Sequence, residues 1–418
     1  MGGEDDPAHS GERVVSSLRI ALLSYRGNPR SGGQGVYIRH LSRELAGLGH
    51  RVEVLAGPPY PEVDAGVRLT KLPGLDLFAE PNPFRTPRLS ELRDLPAWVE
   101  FLGMRRGGFP EPLAFSLRAA RHLAKRRREF DVVHDNQGLG YGTLHCGLPT
   151  IATIHHPIAV DRELKLATVT GPEADRVERW YGFVSMQHRV ARRLPALTVS
   201  HASREAITRE MRVPHHRIRV VPLAADTRVF HPRPEIARVP GRVVTTASAD
   251  EPLKGLDMLL TAWAKIDGEL VVVGKPKPDG PAERALMNLG PDANVRFVSG
   301  LSDVNLAELL CSAEIVCVPS LFEGFSLPAA EAMACGTPVV ATTAGALPEV
   351  VGDAGVLVPP GDPGALADAI NSLLGDVRRR ADLSERSLAA AATLSWRRTA
   401  EQTMDHYRRI LGREGTEC

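Results

Sequence analysis

The sequence predicts an α/β protein of two doubly wound domains that face each other across a cleft. Short apolar runs of strand length alternate with longer amphipathic stretches, which implies parallel sheets covered on both faces. A Pro-rich segment, FHPRPEIARVPG at 230–241, interrupts that rhythm near the middle of the chain. The 418 residues suffice for two or three domains, each able to bury a core without disulfide staples.

Taken in order, residues 1–17 are polar, rich in Gly, Asp and Glu, and lack the hydrophobic core of a signal peptide, so they read as a disordered tail. The first domain spans 18–228. It begins with SLRIALLS, VYIRHLSRELAGLGH and RVEVLAG as strand, helix and strand. DVVHD (131–135), TIATIHH (150–156), ALTVSHAS (196–203) and IRVVPLA (218–224) read as further strands, whereas 72–112, rich in Pro and Gly, reads as irregular. Residues 229–241 form the expected linker and hinge. The second domain, 242–394, resumes the rhythm with RVVTTAS, GLDMLLTAWAKI, ELVVVG, VRFVSG, LAELLCSA, EIVCVPS, VVATTA, GVLVPPG and ALADAINSLLG. Residues 395–418 carry an amphipathic helix, expected to pack back on the first domain.

Composition narrows the function classes. A net charge of +1 and 5% aromatic residues offer neither the basic field nor the stacking platforms of a nucleic-acid binder. No apolar run approaches the roughly 20 residues of a membrane span. Five cysteines without CxxC spacing point to buried thiols in a reducing, cytoplasmic setting. Lys125, Arg126, Arg127 and Arg128 are expected at one helix end, as a solvated face or as a patch for peripheral membrane contact.

The residues that carry chemistry cluster at loop-to-helix junctions. EGFSLPAAEAMACGTP at 323–338 places Glu323 and Glu331 eight residues apart, with Pro328 in the first turn of a helix starting near 327 or 328, and with Glu331 in that first turn. Gly324 lets backbone approach a ligand, and free N–H groups at the helix start form an anion site flanked by carboxylates for sugar hydroxyls. Lys254 in PLKG follows a strand and precedes a helix at about 256. Alone it would be a solvated loop lysine, but beside the glutamates it reads as a diphosphate ligand. Gly32 and Gly33 sit between strand and helix in GNPRSGGQG, which lacks the GxGxxG spacing of a dinucleotide site. His155 and His156 end a strand at the cleft edge, where either could bond a sugar hydroxyl or phosphate. His215 and His216 lack partners at metal-ligand spacing, and no D-x-D triplet occurs.

On these residues, and on ALPEVVGDAGVLVPPGDPGALADAI that follows them, the chain resembles the retaining glycosyltransferases of family 4 (glycosyl transferases group 1) over about 18–411. The resemblance implies the GT-B fold, two facing Rossmann-like domains, with acceptor binding in the first and nucleotide-sugar binding in the second. It implies that Glu323 contacts hydroxyls of the transferred sugar, Glu331 the ribose and Lys254 the diphosphate. His155 would sit near the sugar 6-hydroxyl and the reaction centre, with His156 as a further acceptor or donor contact. Gly32 and Gly33 would pack on the diphosphate, while Gly324, Phe325, Ser326 and Leu327 complete the donor loop, the last three through backbone N–H groups. The family arginine five residues before the lysine is replaced by Ala249. The implied activity is metal-independent, retaining hexosyl transfer from a nucleoside diphosphate sugar, with no cofactor, to an acceptor hydroxyl of a small molecule, lipid or glycan. A sugar-nucleotide epimerase, a phosphorylase of the same fold and a non-catalytic nucleotide-sugar binder are the alternatives.

Overall fold

A computed structural model describes residues 17–28, 33–246, 252–276, 280–290 and 293–412. Gly32, Ala249 and nearly all of the expected N-terminal tail lie outside the described residues. Among them, β1 (Arg19–Ser24), β2 (Arg51–Ala56), β3 (Arg68–Lys71), β4 (Val132–Asn136), β5 (Thr150–Thr153), β6 (Ala196–Thr198) and β7 (Ile218–Val220) form one parallel sheet in the order β3-β2-β1-β4-β5-β6-β7. A second parallel sheet has the order β10-β9-β8-β11-β12-β13, built from β8 (Arg242–Thr245), β9 (Glu269–Val273), β10 (Val295–Val298), β11 (Ile315–Val318), β12 (Val339–Thr342) and β13 (Gly355–Val358).

Strands buried on both faces explain why the runs are apolar throughout rather than alternating. Val244, Val316 and Val339 point to one side of the second sheet and Val243, Ile315 and Val340 to the other, each set joining a separate apolar cluster. The first of those clusters continues through Leu223, Phe230, Trp396 and Tyr407 to Ile20 and Leu22 of the first sheet, so one core joins both domains.

Three expectations change. β6 stops at Thr198 because Ser200 turns out to cap the helix His201–Met211, accepting a hydrogen bond from Ser203 N, so ALTVSHAS is strand then helix. The stretch 72–112 contains a helix, Leu95–Arg105, capped by Asp94. The basic run does sit at one helix end, since the helix Glu111–Lys125 closes on its first residue, but it is not one solvated face: Arg126 turns inward to Glu53 at 2.7 Å and also pairs with Glu129. Edge strand β3 has no counterpart in the sequence reading, because its four residues, RLTK, are partly exposed and carry little apolar signal.

The helix Trp396–Ile410 lies on the helix Gly33–Gly47 of the first domain, with the Trp396 indole stacked on His40 at 4.9 Å. Its Tyr407 is fully buried, and its hydroxyl meets His134 Nδ1 at 2.7 Å. His134 Nε2 lies 2.6 Å from Thr153 Oγ1, which also meets the Tyr37 hydroxyl at 2.8 Å. Burial pushes His134 down to about 3, so the imidazole in this chain is neutral. Tyr407→Phe leaves that imidazole short of one partner, and we expect it to lower unfolding free energy by about 1–3 kcal/mol in urea titration with little change in shape.

Candidate active site

In each sheet the strand order reverses once, between β1 and β4 and between β8 and β11. Ligands of doubly wound folds bind beyond the strand carboxyl ends at such reversals. The loops leaving β8 and β11 carry Lys254 and Glu323, the loop leaving β1 leads to Gly33, and His155 follows β5, beside β4.

Lys254 ends a short 3-10 turn, Pro252–Lys254, directly before the helix Leu256–Trp263. Gly255 between them has φ 62°, and a Cβ there would collide with the Pro319 carbonyl, so this close approach excludes a side chain. The turn brings Lys254 Nζ to 2.9 Å from Glu323 Oε1, which Ser320 Oγ also approaches at 2.7 Å. Glu323 is buried while Lys254 remains partly exposed. The pair is a desolvated carboxylate held by two donors, with a cation on its open side.

Gly324 follows, and its hydrogen faces the opposite domain rather than a ligand: a Cβ would stand 2.6 Å from the His155 carbonyl oxygen. The Gly324 carbonyl accepts from Ser200 Oγ at 2.6 Å and Ser203 Oγ at 3.0 Å, and Ser203 Oγ also lies 2.8 Å from the His155 carbonyl. Nearby, the Glu349 carboxylate accepts from His201 N at 2.8 Å and Ala202 N at 2.6 Å, where a helix N-terminus favours negative charge. These contacts hold the two domains together at the site.

Phe325 is buried in the core, so it offers only backbone to a ligand. Ser326 adopts a left-handed conformation, φ 84°, before the helix Leu327–Ala334, and its buried Oγ hydrogen-bonds to nothing. Such backbone is costly for a residue with a Cβ and occurs most often where a function requires it. Leu327 is the first helical residue, so Glu331 falls just beyond the first turn rather than within it. Burial, with Asp303 adding repulsion, pushes the Glu331 carboxyl up to about 7.

On the facing side, His155 Nε2 lies 2.7 Å from Asn136 Oδ1, while Asn136 Nδ2 donates to the Gln34 carbonyl at 3.2 Å. That pairing makes Nε2 the protonated nitrogen and leaves Nδ1 as an acceptor. Burial, together with neighbouring His156, lowers His155 to about 3, so the ring is neutral. Tyr37 packs edge-on against it at 4.8 Å, and Gln137 accepts from its backbone N–H at 2.7 Å. His156 pairs with Asp161 at 2.8 Å and lies 6.1 Å from the Phe322 ring of the second domain.

The structure therefore gathers Lys254, Glu323, Gly324, His155 and His156 at one junction. Gly33 begins a helix with open space around its Cα, whereas Gly35 is the glycine that packs tightly, against the Asn28 carbonyl. Asn136, Gln137, Ser200, Ser203 and Glu349 escaped the sequence reading. Polar residues at a strand carboxyl end, as in DNQ where β4 closes, were the available signal for the first two. Among the described residues no group of three His, Cys, Asp or Glu side chains could hold a metal, and no helix is long and apolar enough to cross a membrane.

Comparison with known proteins agrees with this architecture. Residues 31–229 match the family described as Glycosyltransferase Family 4, and residues 240–376 match Glycosyl transferases group 1. The chain is 52% identical over 411 residues to the MMP alpha-(1->4)-mannosyltransferase of Mycolicibacterium hassiacum, covering 95% of this chain and 99% of that one. It is 31% identical to the D-inositol 3-phosphate glycosyltransferase of Mycobacterium tuberculosis, covering 98% and 88% respectively. The fold matches sucrose-phosphate synthase from Thermosynechococcus elongatus with a TM-score of 0.73 at 23% identity, covering 95% of this chain and 100% of that one. It matches Anabaena HepE in complex with UDP and glucose with a TM-score of 0.67 at 18% identity, covering 93% and 99%.

The raised Glu331 carboxyl has a consequence for stability. Its folded-state value of about 7 exceeds its ordinary 4.5, so its contribution is fully present below 4.5 and is lost as pH rises through 7. Glu331→Gln removes that loss. The melting temperature of the variant relative to wild type should accordingly be higher at pH 8 than at pH 4.5, measured by scanning calorimetry.

Proposed function

This chain belongs to the glycosyltransferases of family 4, with the GT-B fold, and we propose that it moves a mannosyl group from a nucleoside diphosphate sugar to an acceptor hydroxyl, with retention and without a metal. The observation that carries the reading is the Lys254–Glu323 pair at 2.9 Å, set at one domain's strand reversal and pressed through Gly324 against His155 of the other. The mannosyltransferase relative supports the sugar and an α-(1→4) product. The UDP complex of a protein sharing the fold supports a nucleoside diphosphate donor.

As the bond between the anomeric carbon and the β-phosphate oxygen breaks, negative charge grows on the phosphate. Lys254, with backbone N–H groups at the start of the helix Leu327–Ala334, would stabilise that charge. Glu323, already accepting from Lys254 and Ser320, is suited to orient sugar hydroxyls. Those same bonds weaken it as a nucleophile, which favours same-face displacement over a covalent glycosyl intermediate. In that route the acceptor oxygen bonds to the anomeric carbon while its proton passes to the departing phosphate oxygen. Neutral His155, accepting at Nδ1, would bind a sugar hydroxyl beside the reaction centre. Glu331, on the helix behind the loop, would hold the ribose.

Proton NMR of the product should show the donor's anomeric configuration, and prior EDTA treatment should leave the rate unchanged. Lys254→Ala should lower kcat by about 10²- to 10³-fold, the scale of losing one transition-state donor. Wild-type turnover in both Lys254→Ala and Glu323→Ala would remove the site assignment. A calorimetric panel of UDP-, GDP- and ADP-mannose identifies the base.

A further inference from the structure

The first sheet ends at β7, and against that strand lies an open bay of about 550 Å³. Ile218, Val220 and Pro222 give it an apolar part, and the rest of its lining is polar or cationic. His201 and Arg204 stand three residues apart, on one face of the helix His201–Met211. His215 and His216 come from the 3-10 turn before β7, Arg219 from β7 itself, and Arg409 from the helix Trp396–Ile410. None of the described lining residues is acidic, although Glu205 meets His215 Nε2 at 3.1 Å from outside the bay. The bay shares no residue with the Lys254–Glu323 pair or with His155, and it lies at the sheet edge rather than at the strand reversal between β1 and β4.

Two polar side chains at the bay are incompletely satisfied. Arg204 Nη2 lies 2.9 Å from His201 Nδ1, while its Nε is buried and hydrogen-bonds to nothing. His406 stands on the same stripe of its helix as Gln402 and Arg409, which both line the bay. It is 7% exposed, and neither ring nitrogen has a hydrogen-bond partner. Burial, with Arg219 and Arg409 adding repulsion, lowers His406 to about 4, a mark of positive potential at this edge of the sheet. Unpaired buried polar groups and gathered like charges both cost stability, and a single anionic ligand would offset both.

We infer that this bay binds a small phosphate-bearing anion, held chiefly by Arg204 and Arg219 with the histidines around them. Planar guanidinium groups match phosphate oxygens two at a time, and the volume is that of a small-molecule site. The cations converge from two helices, a turn and a strand on one concavity instead of running along a face, which fits a compact anion better than an extended acidic chain. The inference stands apart from the transferase reading. It does touch the domain junction, because the helix that supplies His201 and Arg204 receives Glu349 of the second domain at His201 N and Ala202 N. An anion bound there would sit within one helical turn of that contact.

The test is calorimetric titration of the full-length protein, at one ionic strength, with inorganic phosphate, glucose 6-phosphate, glucose and an octaglutamate peptide. Wild type should bind at least one of the two phosphate probes saturably and glucose not at all, the tighter probe telling the free ion from a phosphate ester. Arg204→Gln and Arg219→Gln should each weaken that binding about tenfold, the scale of one hydrogen bond lost to a charged partner. Arg204→Lys, which keeps the charge without the fork, should fall between. Lys254→Ala, which alters the donor loop, and Arg105→Gln, which removes an exposed arginine elsewhere, should bind as wild type does. Absence of saturable binding to both phosphate probes would overturn the inference. So would binding that survives in folded Arg204→Gln and Arg219→Gln but is lost in Lys254→Ala, which would place the anion at the donor loop. Tighter binding of octaglutamate than of either phosphate probe would overturn it in favour of an acidic protein partner.

Discussion

The contact between Gly324 and the His155 carbonyl is the constraint on which the site depends. One loop of the second domain presses backbone to backbone against one loop of the first, a distance only glycine permits. Ser200 and Ser203 tie the same point by donating to the Gly324 carbonyl, and Glu349 adds a charge at the start of the helix those serines begin. Ser203 has a single proton and two carbonyls within 3.0 Å, so it bridges the domains rather than serving either one. These bonds are few and polar. Farther from the cleft, a continuous apolar core through Phe230 and Trp396 joins the two halves.

From that junction the chemistry divides by domain. The second domain contributes charge: a lysine, a buried carboxylate already engaged by two donors, and helix-start N–H groups. The first contributes neutral polarity, since His155 and His134 are both held uncharged by burial. A neutral imidazole whose protonated nitrogen is occupied by Asn136 is a directed acceptor, which suits hydroxyl recognition better than proton transfer. Beneath it, the Tyr407–His134–Thr153–Tyr37 chain anchors a C-terminal helix directly under the site. Residues far along the sequence thus pack against the first domain beside His155.

Much of this was legible from local pattern. Apolar runs gave most strands because both faces of each sheet are covered, and the helix start near Leu327 followed from Pro328 and the apolar run after it. Local pattern failed where local signals are weak or ambiguous. β3 is four partly exposed residues, and the helix Leu95–Arg105 lies within a Pro- and Gly-rich stretch. Ser200 could have continued a strand as easily as it caps a helix. Gly33 and Gly35 look alike in sequence, but only Gly35 has a backbone pressed against it.

The sequence by itself singled out Lys254, the paired glutamates and the strand-end histidines as candidates, by type and by position at loop-to-helix junctions. It also determined the rhythm of strand and helix, since hydrophobic periodicity is a local property. Only the tertiary structure decided which of those residues meet. Strand order, and so the reversal that sets Lys254 beside Glu323, arises from long-range pairing that no local pattern encodes. The same holds for the backbone contact at Gly324, which joins residues far apart in the chain.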